Sequence, residues 1–321
     1  MTFGQTVSLA PSAHNGGSII TPKPKILRVG IYNIMPNRRT TGDDITNVFG
    51  QFHPNIEFVH IAPKGQDHKS AEEKYRLAGD AYEREISALS WSAAKERNLN
   101  RMIITGADLA KYNLEQVDFC GELKDVFNFT GQHKIPKFMT CWASDAYGEY
   151  AHDIHKKWQH RKSIDVMPHE LEQHDHYAVR NLKELFAPIA RNTEVLARDI
   201  DTAKGIFNIA TMKTHAGERV AGLIGYENSN DLSTRFHLEY GSDENLWKER
   251  RRDEIRHSRN PRMYPTYPLP AENIDPDNFG MTWGEERKSI LGGWLNQETT
   301  TDQAQLSHET ISGTGTHLCY S

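Results

Sequence analysis

The chain has few cysteines and no long apolar run. Three cysteines are spread over 321 residues, and no two form a C-x-x-C pair. So sparse a set makes a poor disulfide framework or thiolate zinc site, and it favours a reducing compartment, here the cytoplasm. No apolar run approaches the roughly 18–20 residues of a membrane span. Residues 1–18 lack the basic start and apolar stretch of a secretory signal. We therefore expect a cytoplasmic protein that does not contact membranes.

An excess of basic residues is also lacking. Lys and Arg total 38 against 43 Asp and Glu, which gives a net charge of -5. A mildly acidic chain of this kind is not expected to bind nucleic acid. The hydrophobic fraction is only 37%, yet 12 Phe, 12 Tyr and 6 Trp are too many aromatic residues for an unfolded chain. The length allows one large or two modest domains.

Short apolar segments alternate with longer amphipathic ones between two polar ends. Residues 1–24 and 298–321 are small and polar and are predicted as tails, and residues 25–297 are predicted as one α/β domain with a helical and Pro-rich C-terminal part. The predicted strands are 26–34, 56–61, 101–107, 137–140, 194–198, 205–212 and 219–225. The predicted helices are 70–97, 114–130, 142–158 and 243–259. This alternation is typical of an α/β layer fold whose mostly parallel sheet is flanked by helices.

One cysteine stands where chemistry is expected. Cys141 lies between a predicted strand and a predicted helix, so its sulfur faces the positive end of the helix, which lowers a thiol pKa. The N–H of Trp142 would face an oxyanion that forms on a substrate carbonyl, and a second donor is expected from the turn at Gly106 and Ala107. A buried structural cysteine is the alternative explanation.

A nucleophilic cysteine needs a base, and the chain offers 16 histidines. His169, His174 and His176 cluster after a strand-like segment. His174 and His176 flank Asp175, but no third ligand has a compelling spacing, so we expect no metal site and no bound cofactor.

Several motifs together resemble the homoserine O-succinyltransferase family over about residues 25–297. They occur in the family's order and include a strand end that reads N-I-M-P, a T-G-A turn, a C-W-A turn and a W-L-N segment. In this sequence they are Asn33–Pro36, Thr105–Ala107, Cys141–Ala143 and Trp294–Asn296.

The resemblance implies a fold and a reaction. The family has a flavodoxin-like, class I glutamine-amidotransferase-like fold and forms homodimers. It acylates its cysteine from acyl-CoA, the expected co-substrate, and passes the acyl group to the hydroxyl of homoserine, so Cys141 is the implied nucleophile. The resemblance also implies substrate-binding roles for Lys162, Arg191, Arg38 and Ala110. A small residue at position 110 resembles the succinyl-using type of the family.

The sequence departs from the family at the catalytic histidine. The family's G-H-P-E segment is matched to Gly225–Asn228, so Tyr226 would stand where the base should be and Glu227 would be the acidic partner. A tyrosine is a poor base at neutral pH. The resemblance makes His169 a further catalytic candidate, because it matches a family histidine.

Three functions remain open from the sequence. The first is an acyltransferase that carries an acyl group from acyl-CoA through a Cys141 thioester to an amino-acid-like acceptor. The second is another cysteine-dependent enzyme of specialised metabolism on the same scaffold, such as a hydrolase, a lyase or an amide-forming enzyme. The third is a relative without catalysis.

Overall fold

A mixed ten-stranded sheet organises the chain. The computed structural model describes residues 26–35, 38–64, 88–214, 216–242, 244–249, 251 and 282–297. In spatial order the strands run β3-β2-β1-β4-β5-β10-β9-β8-β6-β7. From β3 to β10 the neighbours pair in parallel, and from β10 to β7 they pair antiparallel. The strands are β1 Leu27–Tyr32, β2 Ile56–Ala62, β3 Leu89–Ser90, β4 Arg101–Ile104, β5 Lys137–Thr140, β6 Lys157–Leu171, β7 Leu185–Glu194, β8 Ile206–Lys213, β9 Arg219–Tyr226 and β10 Leu232–Thr234.

Helices cover both faces of the parallel half. They are α1 Arg38–Phe49, α2 Trp91–Ala94, α3 Cys120–Gln132, α4 Trp142–His152 and α5 Ala197–Thr202. Residues 244–249 are also helical. The C-terminal helical segment consists of Gly284–Arg287, a π-helical turn over Lys288–Gly292, and Gly293–Leu295.

The central strands are buried on both faces, which explains their nearly continuous apolar sequence. On one face Met102 and Met139 pack with residues of α3 such as Leu123. On the other face the Phe138 ring lies between Phe49 of α1 and Trp294 of the C-terminal segment, with centroid distances of 5.5 and 5.4 Å. The α/β class predicted from the sequence is confirmed.

Some predicted elements differ from the observed ones. Position 158 is in strand β6 rather than in a helix, because α4 ends at His152 and Asp153 adopts a left-handed φ of 53°. The segment 194–198, predicted as a strand, contains the end of β7 and the start of α5. The predicted helix 70–97 falls mostly outside the described residues, and its final part forms β3 and α2 instead. The predicted helix 243–259 is observed only at 244–249 and 251, and the two tails lie outside the described residues.

The sheet topology brings four loops together. Strands β1, β4, β5 and β10 are parallel neighbours, so the segments that follow them meet at one edge of the sheet. In sheets of this kind ligands bind at the carboxyl ends of the strands. The site described below is at this edge.

Candidate active site

Cys141 occupies a sharp turn between β5 and α4. Its backbone has φ 50° and ψ −117°, a conformation that side chains with a Cβ rarely adopt. Its N–H donates to the Thr234 carbonyl at 2.8 Å, which fixes the turn to β10. The Cβ of an alanine at Gly106 would lie 2.7 Å from the Cys141 Cβ, so this close approach requires glycine.

His237 lies beside this thiol and was missed by the sequence analysis. It follows β10, and its N–H donates to the Pro188 carbonyl at 2.7 Å. Its ring is stacked on Tyr240 and its Nδ1 is 2.8 Å from Glu239 Oε1. The other ring nitrogen, Nε2, is buried without a hydrogen-bond partner among the described residues, and the ring is near enough to the Cys141 thiol to lower the pKa of that thiol. The arrangement is a cysteine, a histidine and a carboxylate in series.

The electrostatics of the pair favour the ionised form. Enclosure by the protein would raise the pKa of the Cys141 thiol, but the hydrogen bond and charge of His237 outweigh it and lower that pKa, with a contribution from Arg235. Burial acts to lower the pKa of His237, whereas the charge of Glu239 and the contact with Cys141 raise it well above its usual value. Both shifts favour a thiolate next to an imidazolium over the neutral pair.

We expect iodoacetamide to alkylate Cys141 faster than Cys120 at pH 7. Burial and a hydrogen bond to Glu115 raise the pKa of Cys120, whereas the pKa of Cys141 is lowered. Because only the thiolate reacts, the rate at Cys141 should fall as the pH decreases through its lowered pKa. The measurement is peptide mass spectrometry over time on Cys319→Ser protein, with Cys141→Ser and Cys120→Ser as matched variants. Equal rates at the two cysteines at pH 7 would contradict an activated thiol.

The oxyanion donors differ in availability. The Gly106 N–H donates to Thr140 Oγ1 at 2.9 Å, so this group is already engaged. The predicted donors that remain are the N–H groups of Trp142 and Ala107, both at the edge of the cavity. The Trp142 ring is held in place because its Nε1 donates to the Tyr112 carbonyl at 3.0 Å. Gly106 contributes by allowing the close approach of the two turns.

A cavity of about 120 Å³ opens above the thiol. Seven of the residues singled out from the sequence line it, together with His237 and Glu239. The seven are Cys141, Trp142, Gly106, Ala107, Lys162, Arg191 and Ala110. Lys162 Nζ is 2.5 Å from Glu249 Oε1, a second lining residue.

The other four residues for which a catalytic or substrate-binding role was expected do not line this cavity. Tyr226 is buried, and its hydroxyl is 2.7 Å from Ser233 Oγ. Glu227 is exposed after the end of β9. Burial and the charge of Arg191 lower the pKa of His169 to about 3, so this ring, packed on Phe236, is neutral. Arg38 begins α1, and its carbonyl accepts a hydrogen bond from Asn33 Nδ2.

Two buried ion pairs form the wall behind the thiol. Arg235 Nη1 is paired with Asp145 in the first turn of α4, and its Nη2 donates to the Thr193 carbonyl at 2.8 Å. Arg191 Nη2 is 2.8 Å from Glu194 Oε2, and Nη1 donates to the Arg235 carbonyl. The guanidinium of Arg191 is thus bonded to the Glu194 carboxylate and the Arg235 carbonyl.

Neither a metal centre nor a membrane span is evident in the part of the chain that the structure describes. No three His, Cys, Asp or Glu residues of these ranges are grouped so that they could hold a metal ion. None of their helices combines the length and apolar character needed to cross a bilayer.

The sequence model of the homoserine O-succinyltransferase family matches residues 20–304. The chain belongs to this family. A homoserine O-acetyltransferase from Catenibacterium mitsuokai is 27% identical, with 90% of each chain covered. A homoserine O-succinyltransferase from Shewanella loihica is 23% identical, with 84% of this chain and 79% of the relative covered.

The fold is shared with solved structures of low sequence identity. The protein SMU.1228c has a TM-score of 0.54 and 10% identity, and the match covers 84% of this chain and 100% of that structure. A glutamine amidotransferase from Thermotoga maritima has a TM-score of 0.49 and 14% identity, with 84% and 94% covered. The match with SMU.1228c supports the fold alone.

A second segment of the chain has the histidine and glutamate of the G-H-P-E motif at the same spacing. The structure places Phe236–Tyr240, which reads F-H-L-E-Y, at the cavity, whereas Gly225–Asn228 ends β9 away from it. His237 and Glu239 have the spacing of the histidine and glutamate of G-H-P-E, with Leu238 in place of the proline. The glutamate–tyrosine pair at positions 239 and 240 was the signal that could have located the histidine in the sequence.

Proposed function

We propose that this protein is a homoserine O-acyltransferase that carries the acyl group as a thioester on Cys141. The observation that carries the proposal is the series Cys141, His237 and Glu239 at the wall of a cavity in a chain of this family. Acyl transfer through a cysteine needs an ionised thiol, a group that moves protons and donors for an oxyanion. Cys141, with its lowered pKa, would supply the thiolate, His237 would move the protons, and the N–H groups of Trp142 and Ala107 would be the donors.

The first half-reaction would load the enzyme. The Cys141 thiolate attacks the carbonyl carbon of the acyl-CoA thioester, and the resulting oxyanion accepts hydrogen bonds from the N–H groups of Trp142 and Ala107. The intermediate collapses with loss of the CoA sulfur, which takes a proton from His237 Nε2. The product is an acyl-thioester on Cys141 and a neutral imidazole.

The second half-reaction would unload it. The neutral His237 accepts the proton of the homoserine hydroxyl, whose oxygen attacks the acyl carbon on Cys141. The thiolate leaves, and the ester O-acylhomoserine is released. Glu239 holds Nδ1 throughout, so that Nε2 remains directed at the thiol. The negative charge of Glu239 also stabilises the imidazolium when it forms.

The small side chain of Ala110 favours a larger donor. Ala110 lines the cavity with a single methyl group and adds no charge there. Succinyl-CoA is therefore the donor that we propose, in keeping with the residue type that the family's succinyl-using members have at this position.

Intact-mass measurement of the protein tests the proposal. We expect succinyl-CoA to add about 100 Da to the wild type by formation of one thioester, and acetyl-CoA to react more slowly. The adduct should be absent on Cys141→Ala and unchanged on Cys120→Ala, and homoserine should discharge it as O-acylhomoserine. Failure of both donors to label the wild type would contradict the proposal, and so would equal labelling of Cys141→Ala.

A further inference from the structure

One carboxylate in the cavity wall has no cationic partner in the part of the chain that the structure describes. Asp44 lies on α1, three residues after Thr41, and both side chains line the cavity. Asn245 Nδ2 donates to Asp44 Oδ2 at 3.4 Å, a distance at the limit of a hydrogen bond. Among the described residues it makes no salt bridge.

The other ionisable groups of the inner wall are balanced. Lys162 is paired with Glu249, and Asp145 with Arg235. Arg191 and His237 are paired in the same way with Glu194 and Glu239. Asp108 also lines the cavity, but it is exposed at the mouth. Outside the series Cys141, His237 and Glu239, Asp44 is therefore the carboxylate of the inner wall that has no salt bridge among the described residues.

The surroundings of Asp44 favour a bound cation. Burial and the negative charges of Glu239 and Asp43 raise the pKa of Asp44 to about 6, against a weaker effect of Lys248. In addition, Glu239 Oε2 is buried and has no hydrogen-bond partner among the described residues. One acceptor of this cavity thus lacks a donor among the described residues and the other has a single long hydrogen bond, whereas an ammonium group offers three donors.

We propose that Asp44 binds the ammonium group of the acceptor and so selects amino acids over simple hydroxy acids. The inference rests on the proposed function for the identity of the acceptor. Asp44 would hold the ammonium group in the cavity that contains the thiol, and the acceptor hydroxyl would then be directed toward Cys141. The acceptor class is a hydroxyl compound with a primary ammonium group.

Equilibrium binding tests this role without catalysis. L-Homoserine and 4-hydroxybutanoate, which lacks only the amine, are titrated into the full chain by calorimetry. We expect Asp44→Asn to weaken the binding of homoserine by about 10–100-fold, as for the loss of a hydrogen bond to a charged group, and to leave 4-hydroxybutanoate unaffected. In the acylated enzyme the ratio of kcat/KM for the two acceptors should fall by the same factor.

The neighbouring aspartate provides the matched control. Asp43→Asn removes the same charge from the same helix, but Asp43 is exposed and does not line the cavity. The affinities for homoserine and for 4-hydroxybutanoate should therefore both be retained. An unchanged alkylation rate of Cys141 in Asp44→Asn would show an intact site. Equal homoserine affinity in wild type and Asp44→Asn would overturn the inference, and so would undetectable binding to the wild type. The proposed function is judged separately, by the acyl adduct.

Discussion

Replacing His237 with Asn should lower kcat/KM by about 10²–10⁴-fold, the usual contribution of a general acid–base group. The variant loses the group that takes the acceptor proton, and it also loses the hydrogen bond and charge that lower the pKa of the Cys141 thiol. The rate of alkylation of Cys141 at pH 7 should decrease in parallel. The measurement is steady-state O-acylhomoserine formation together with iodoacetamide labelling of the same preparation.

The control for this variant is Tyr226→Phe, because the sequence analysis identified Tyr226 as the replacement for the base. Its hydroxyl bonds Ser233 Oγ and the ring packs on Tyr147, outside the cavity. We expect kcat/KM to remain within a few-fold of wild type, with a loss of stability of about 1 kcal/mol for one buried hydrogen bond. A large loss of activity in Tyr226→Phe, with His237→Asn retaining activity, would show that the geometry has been misinterpreted.

Replacing Asp145 with Ala should have the largest effect on stability, about 3–5 kcal/mol in the free energy of unfolding. Asp145 and Arg235 are 5% and 1% exposed, so the substitution leaves a guanidinium charge buried without its carboxylate. Urea denaturation followed by circular dichroism measures the change. Activity would fall as well, because Arg235 is two residues from His237 and lowers the pKa of Cys141.

An exposed ion pair and a double variant control for this prediction. Glu57→Ala removes the partner of Arg28 on the surface, where a pair contributes about 0–1 kcal/mol. The double variant Asp145→Leu and Arg235→Met replaces both charges with apolar groups of similar size and should recover part of the loss. A cost for Asp145→Ala no greater than that for Glu57→Ala would rule out the buried pair as a structural requirement.

The fold class and the position of Cys141 at the edge of the sheet could be predicted because both depend on local sequence. The fully apolar segments 101–104 and 137–140 belong to strands that are buried on both faces, and Cys141 follows the second of them directly. A cysteine between a buried strand and a helix lies at the carboxyl edge of the sheet whatever the remainder of the fold. The residues of the two turns, Gly106, Ala107 and Trp142, follow from the same argument.

In the antiparallel half of the sheet, strands β8 and β9 agree with the predicted segments 205–212 and 219–225, but β7 was harder to predict. Strand β7 contains Pro188, Arg191 and Glu194, and this composition does not resemble a buried strand. The two charges are tolerated because they form a buried pair with each other, 2.8 Å apart. A pairing of this kind is a property of the folded molecule, so the polarity of the segment misled the sequence analysis.

The sequence by itself determined that the chain is an α/β protein with one cysteine placed for activation, and it carried the motifs of its family. The tertiary structure decided which histidine lies beside that cysteine. Tyr226 and His237 are separated by eleven positions along the chain. Strand β10 lies between them, and its pairing beside β5 determines which of the two side chains reaches the thiol. Proximity to the sulfur follows from the parallel pairing of β5 and β10, and that pairing is a long-range contact that no local pattern specifies.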